Sequence, residues 1–443
     1  MNPRRIAISI LLRVEEGAYS HIALKEALLK NDLSSLDKAF VTELVYGTIR
    51  RRNTLDFIIN SFLQKKTQRD EIRCILRMGV YQLRYMRVPP SAAVNESVKL
   101  VSEFHLESQK GFVNAVLRNI ERSKDKDFYE KVTDKTKRMA LTYSHPSWIV
   151  ARYIEKYGIE KAAELLDYNN KPSRNIARVN IIKTSIADLI ELLEKEGIEA
   201  EPYKIPNTIR LKGQGKILSS NAYRKGLFMI QSPSSVAAAL MLDARAGESV
   251  LDTCAAPGGK SFVLAQQMDN LGEILSTDIH PHKIELMQKG FQFLGIQNAE
   301  AKCQDWEEWN PAFDQRYDRV LVDAPCSGLG VLGKRPDSRW RKKASDIEAL
   351  VQLQRKILNN AVLAVKPGGL LMYATCTLTY EENQAQRAWI LENFTEFKPE
   401  PLPYISEAFA SDKKALERGE LEITPFMHDM EGFYLTLLRK DTN

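Results

Sequence analysis

The sequence predicts a multidomain protein. An all-α N-terminal domain (1–130) is followed by a small α+β middle domain (140–232) and a C-terminal α/β domain of the Rossmann-like, doubly wound kind (233–443). Three observations carry this reading. At 443 residues the chain exceeds one core, since domains usually run about 100–200 residues. Its first third repeats apolar residues at helical spacing. From residue 233 short apolar runs alternate with helical stretches, the signature of strands joined by crossover helices.

The helical stripes in the first third are Ile6, Ala7, Ile10, Leu11 and Val14; Phe40, Val41, Leu44 and Val45; Ile72, Ile75, Leu76, Val80 and Leu83; and Phe112, Val113, Val116, Leu117 and Ile120. The Asp37 region and VPPSAA at 88–93 suit helix caps or breaks. Arg50, Arg51 and Arg52 are expected to close a helix, where cations complement its dipole, or to contact phosphates. The charged stretch 123–137 reads as a linker. In the middle domain 175–182 and 208–211 read as strands, 186–196 as a helix and GQGK at 213–216 as a turn. In the last domain the strand candidates are 249–251, 273–277, 299–302, 319–322 and 370–373. The helix between the last two buries Ile347, Leu350, Val351, Leu353, Ile357, Leu358, Ala361 and Val362.

Composition excludes several classes. With 44% hydrophobic and 27% charged residues the chain fits an ordinary globular protein. No run of 18 apolar residues offers a membrane helix. The N-terminal apolar run is broken by Arg13, Glu15 and Glu16, so it reads as an amphipathic helix rather than a leader. The five cysteines, at 74, 254, 303, 326 and 376, form no CxxC, which argues against a disulfide framework or zinc site and for a reducing, cytoplasmic setting. Net charge is +6, and residues 1–130, with 22 Lys+Arg against 16 Asp+Glu, carry all of that excess. Such a surface suits a polyanion through counterion release, or is simply a solvated face.

In a doubly wound sheet, ligands bind beyond the carboxyl ends of the strands, and every unusual sequence of the last third falls there. DTCAAPGGKS at 252–261 joins a strand to a helix through small residues that admit a ligand close to backbone N–H groups. A phosphate-binding P-loop is the rival reading, but its first glycine would fall at 254, which is Cys. Asp278 lies 20 residues beyond Gly258, the separation at which a carboxylate meets ribose hydroxyls. Asp305, after the third strand, suits an adenine amino group. His280 and His282 lack a third ligand and read as a solvated loop rather than a metal pair, so no metal is expected. VDAPCSG at 322–328 and YATCTL at 373–378 bring Asp323, Cys326 and Cys376 to adjacent strand ends. Either thiol alone would more often be a small buried hydrophobe. GKRPDSRWRKK at 333–343 sets Arg335, Arg339 and Arg341 around Trp340, a pattern suited to phosphate contact and base stacking.

Together CAAPGGK, DAPCSG and ATCTL resemble the RNA cytosine-C5 methyltransferases, over roughly the last 200 residues. The basic helical N-terminus resembles the NusB-like antitermination-factor domain, and the pairing is that of bacterial 16S ribosomal RNA cytosine-C5 methyltransferases. SHPSW at 144–148 and EGFYLTLLRK at 431–440 also resemble family landmarks, with Glu431 where Asp is more usual, and Ser261 and Lys283 where Thr and Arg are. The resemblance implies a Rossmann-like S-adenosylmethionine-dependent methyltransferase acting on 16S ribosomal RNA as a monomer, with no membrane or metal. It implies that Cys254, Ala255, Ala256, Pro257, Gly258, Gly259 and Lys260 wrap the cofactor. Asp278 would hold the ribose and Asp305 the adenine, while Asp323 faces both cofactor and base.

Spacing leaves open which cysteine attacks. DNA enzymes of this chemistry use the Pro-Cys thiol, here Cys326. The RNA family uses the Thr-Cys thiol, here Cys376, with Cys326 assisting product release. Transfer RNA as acceptor, a non-catalytic RNA-binding or antitermination factor, and a P-loop nucleotide hydrolase stay open on the residues alone.

Overall fold

Each helical stripe of the first third folds as a helix and buries its apolar face in one core. In a computed structural model describing residues 2–64, 68–212 and 217–442, the chain forms two units. The expected turn at 213–216 lies outside the described residues.

The first unit comprises Met1–Pro172 together with Leu332–Lys342. Its helices include Pro3–Glu15, Ser35–Arg50, Asp70–Tyr85 and Lys110–Arg122. Ile10, Leu11, Val41, Leu44, Ile75, Leu76, Val113 and Leu117 are buried together. The Asp37 expectation resolves into a cap: Ser34 Oγ accepts the Asp37 N–H at 3.1 Å, satisfying one free donor at the helix start. The arginine run does not close one helix. Arg50 ends Ser35–Arg50, whereas Arg52 opens Arg52–Asn60. The stretch 123–137 is anchored rather than free, since Phe128 packs on Phe62 and Tyr129 stacks on Phe57 with ring centroids 5.8 and 5.7 Å apart.

The second unit comprises Ser173–Val331 and Lys343–Asn443. It opens with a four-stranded antiparallel sheet in the order β2-β3-β1-β4, made of β1 (Asn175–Val179), β2 (Glu199–Pro202), β3 (Thr208–Lys212) and β4 (Phe228–Ile230). The helix Ile186–Lys195, capped by Ser185, shares its core.

The main sheet has the order β10-β12-β9-β8-β5-β6-β7, with β11 also paired to β12. Its parallel part is β5 (Ser249–Asp252), β6 (Glu273–Asp278), β7 (Ala299–Cys303), β8 (Tyr317–Asp323) and β9 (Val365–Thr375). The sheet is mixed, however. β12 (Phe433–Lys440) runs antiparallel between β9 and β10 (Phe397–Pro399), and pairs with β11 (Glu420–Ile423). The segment read only as a landmark, EGFYLTLLRK, therefore supplies a buried inner strand. Strand order reverses at β5, between β6 and β8, which opens a cleft at the carboxyl ends.

Candidate active site

The loop after β5 is drawn into the sheet by its own backbone. Thr253 N–H donates to the Leu321 carbonyl at 3.0 Å and Ala255 N–H to that of Thr277 at 2.8 Å. Gly258 stands at φ +98°, and a Cβ there would lie 2.7 Å from Phe262 Cζ, so both conformation and space demand glycine. The helix Gly259–Gln267 then starts with its N–H groups facing the cleft. Gln231 fastens the turn by donating to the Gly259 carbonyl at 2.9 Å, and its own oxygen accepts from Arg178 Nε at 2.8 Å. Arg178 is fully buried, and burial pulls its guanidinium down to about 9. Sequence reasoning missed Arg178 and Gln231, because nothing in the pattern links β1 to this turn.

Lys260 is committed within the protein. It pairs with the Asp323 carboxylate and lies 5.0 Å from the Phe433 ring centroid. Behind the loop, the fully buried Asp252 accepts Ser261 Oγ at 2.7 Å while its Oδ1 has no partner. Burial pushes its carboxyl up to about 7, beyond what the Ser261 bond can offset. The Cys254 thiol is pushed up to about 12, chiefly by burial, which suits a wall and not a nucleophile.

Along the cleft, Asp278 ends β6. Its Oδ1 accepts the His280 N–H at 3.0 Å and lies 3.3 Å from Lys283 Nζ. Asp305 is exposed beyond β7, its Oδ1 capping Glu307 N–H at 2.9 Å. Ile279, also exposed, follows Asp278 on the same rim. The His280 and His282 rings are exposed neighbours with centroids 5.6 Å apart, and no group of three metal-binding side chains occurs among the described residues.

The two thiols meet. Asp323 is in register with Ala374, and just beyond them Cys326 Sγ and Cys376 Sγ lie 3.4 Å apart, both partly exposed. The neighbouring thiol, burial, and the charges of Glu382 and Asp323 all push the Cys326 thiol well above its usual value. Either sulfur can donate across this contact. Cys303 and Cys74 stand apart, one exposed at the end of β7, the other buried in the helical unit.

The expected RNA contacts fare differently. Arg339 is fully buried in the first unit, donating to the carbonyls of Ser144 and Asn169 and to Asn170 Oδ1 at 3.0–3.1 Å, so it cannot meet RNA. Arg50 is buried beside it, with its carbonyl accepting from Arg339. Arg52 pairs with Glu15 at 3.0 Å. Arg341 donates to the Gly17 carbonyl at 2.9 Å and lies over the Tyr19 ring. The run of cations around Trp340, expected to contact phosphates and stack on bases, is here a peg against the helical core. Arg51, stacked on Tyr85, and the exposed Arg335 keep surface positions.

Residues 239–439 match the family profile described as 16S rRNA methyltransferase RsmB/F. Residues 1–122 match the NusB family, and 145–218 the ferredoxin-like domain of RsmF/B-like methyltransferases. A probable ribosomal RNA small subunit methyltransferase B of Bacillus subtilis (strain 168) is 34% identical, with 99% of this chain and 98% of that protein covered. The chain belongs to the ribosomal RNA small subunit methyltransferase B family. The member from Yersinia enterocolitica is 32% identical over 99% of both chains. The crystal structure of PH0851 is 26% identical, with a TM-score of 0.83 over 99% of each chain.

Family membership makes the protein a methyltransferase with S-adenosylmethionine as cofactor. Gly258, at φ +98°, gives the turn a conformation that other residues rarely adopt, and Asp278 ends β6 at the same edge of the sheet. The P-loop reading falls away, since Lys260 is tied to Asp323 and the family is a different one.

Proposed function

We propose that this protein methylates carbon 5 of a specific cytosine in 16S ribosomal RNA through a covalent bond between Cys376 and carbon 6 of the base. The observation that carries the reading is the 3.4 Å approach of the Cys326 and Cys376 sulfurs, at strand ends adjoining the Lys260–Asp323 pair. Ala255, Ala256, Pro257, Gly258 and Gly259 line the methionine end of the cofactor, with Cys254 behind them. Asp278 holds the ribose hydroxyls and Asp305 the adenine edge. Arg51 and Arg335 are the cations left to meet the RNA backbone.

Carbon 5 of cytosine is a poor nucleophile until a thiolate adds at carbon 6, which makes the ring enamine-like. In this reading Cys376 supplies that thiolate and Cys326, whose thiol is raised by its surroundings and whose sulfur lies 3.4 Å away, keeps its proton. The Lys260–Asp323 pair lends a proton to ring nitrogen 3 as charge develops there and takes it back when the C6–S bond breaks. S-adenosylmethionine, when bound, supplies an electrophilic methyl group to carbon 5. Once Cys376 is carbon-bound it no longer accepts from Cys326, whose proton passes to water. Cys326 then takes the carbon 5 proton, the C6–S bond breaks, and Cys376 leaves as thiolate. The target base must stand outside any duplex stack for this to happen.

Nucleoside mass spectrometry after incubating protein, methyl-labelled cofactor and 16S RNA, with transfer RNA as competitor, tests the reading. Labelled 5-methylcytidine in 16S RNA, absent with Cys376→Ala, is expected. Label on another nucleoside, label in transfer RNA, or full activity of Cys376→Ala would contradict it.

A further inference from the structure

The mechanism gives no role to the buried acid nearest both thiol loops, Glu382. Glu382 is fully buried in the loop after β9, and each carboxylate oxygen accepts two hydrogen bonds. Oε1 takes Ser327 N–H at 2.8 Å and Gln354 Nε2 at 3.1 Å. Oε2 takes the hydroxyls of Ser327 at 2.6 Å and Thr379 at 2.8 Å. All four donors are uncharged, so this is a carboxylate satisfied by dipoles alone.

These partners bracket both thiols. Ser327 follows Cys326, and Gln354 also donates to the Pro325 carbonyl at 3.0 Å on the other side of that cysteine. Ser327 Oγ shares a 2.6 Å bond with Thr377 Oγ1, the residue after Cys376. Asn383, next to Glu382, accepts Thr375 Oγ1 at 2.6 Å and donates to the Thr377 carbonyl at 3.1 Å, so it holds both neighbours of Cys376. Gln386 in turn donates to Gln354 Oε1 at 2.9 Å.

We propose that Glu382 is a positioning residue for methyl transfer, its carboxylate fixing the Pro-Cys loop against the Thr-Cys loop and thereby setting the separation of the two sulfur atoms. An amide cannot replace it without loss. Four donors already point at its oxygens, and Gln would turn an acceptor into a donor facing Ser327 or Thr379. Burying a charge to hold two loops is a costly way to build a fold, which argues that the two loops must be held in one geometry. The charge also has a sign that matters. It acts on the thiol pair and raises the Cys326 thiol, disfavouring its deprotonation.

The test is Glu382→Gln, assayed for turnover, S-adenosylmethionine affinity and the pH profile of thiol alkylation by iodoacetamide. A displacement of the order of 1 Å between reacting groups costs about 100-fold in rate, so turnover should fall by about that factor. Cofactor affinity should stay within about two-fold, because the loop 254–260 is untouched, and Cys326 alkylation should begin at lower pH once the charge is gone. Turnover within about three-fold of wild type, or an unmoved alkylation profile, overturns the proposal. Should the Gln variant fail to fold, Ser327→Ala decides. Turnover down about ten-fold with cofactor affinity kept supports the clamp, and unchanged turnover refutes it. The inference rests on the two-thiol reading, yet the two fail separately. An active Cys376→Ala defeats that reading whatever Glu382 does. An inactive Cys376→Ala beside a fully active Glu382→Gln defeats the clamp alone.

Discussion

Arg339→Ala separates an arginine that reads RNA from one that builds the protein. The side chain is fully buried, and its Nη atoms reach the carbonyls of Ser144, Asn169, Leu332 and Arg50 and the amide oxygen of Asn170, at 3.0–3.4 Å. None of these acceptors carries a charge, and burial lowers the guanidinium to about 9. The buried charge thus opposes part of what the hydrogen bonds contribute. Truncation strands several buried acceptors and opens a cavity, and since each acceptor left unsatisfied costs about 1–3 kcal/mol the total should reach about 3 kcal/mol or more. That is a large share of the roughly 5–15 kcal/mol by which native domains are stable. Urea unfolding followed at Trp340 reports on the right place, since its indole donates to the Ile49 carbonyl at 2.8 Å in the same unit. The exposed Arg335 is the control. Its alanine variant should change stability by less than about 0.5 kcal/mol and reduce the salt slope of RNA binding by about one. Wild-type stability for Arg339→Ala, joined to a reduced salt slope, would refute the assignment.

Three further outcomes follow from single residues. Asp252 has its carboxyl raised from 3.8 to about 7, so protonation favours the folded state and the penalty for ionising is complete above pH 7. Asp252→Asn should match wild-type stability near pH 3 and exceed it progressively as pH rises from about 4 to 7, levelling off at a ceiling of about 4 kcal/mol; a difference independent of pH would exclude this. His145 is fully buried and held well below its ordinary value by burial and Arg339. The unfolded chain takes up its proton near pH 6.5, so its contribution is present above that pH and lost as pH falls, an acid lability that His145→Asn should reduce at Trp340. Gly330 approaches backbone so closely that a Cβ would stand 2.2 Å from the Gly432 oxygen and 2.8 Å from that of Cys376. Gly330→Ala should displace the Thr-Cys loop and cut turnover about 100-fold while cofactor affinity holds, and equal losses in both would contradict this.

Much of the catalytic unit was legible in the sequence because its signals are local. β5, β6 and β8 each end at the aspartate that follows a short apolar run, and the Gly258 turn announces itself by composition. What stayed hidden depends on distant partners. β12 carries an ordinary apolar run, and only its pairing with β9 shows it to be an inner antiparallel strand. The segment Leu332–Lys342 has the composition of a wet basic loop, and its burial depends on carbonyls nearly 200 to 300 positions away, those of Ser144 and Ile49. Gln354 and Glu382 sit on faces where a hydrophobic scan finds polar residues and passes on, although both are fully buried. The run EEN after the Thr-Cys strand end was the one available hint.

The account stands most directly on how Cys326→Ala behaves with RNA and S-adenosylmethionine. With Cys376 intact and the proton acceptor gone, methyl transfer should proceed but release should not. A covalent RNA–protein species should then accumulate on denaturing gels, with the crosslink at Cys376. A stable species in the Cys376→Ala protein instead, and none in Cys326→Ala, would exchange the roles of the two thiols and contradict the account.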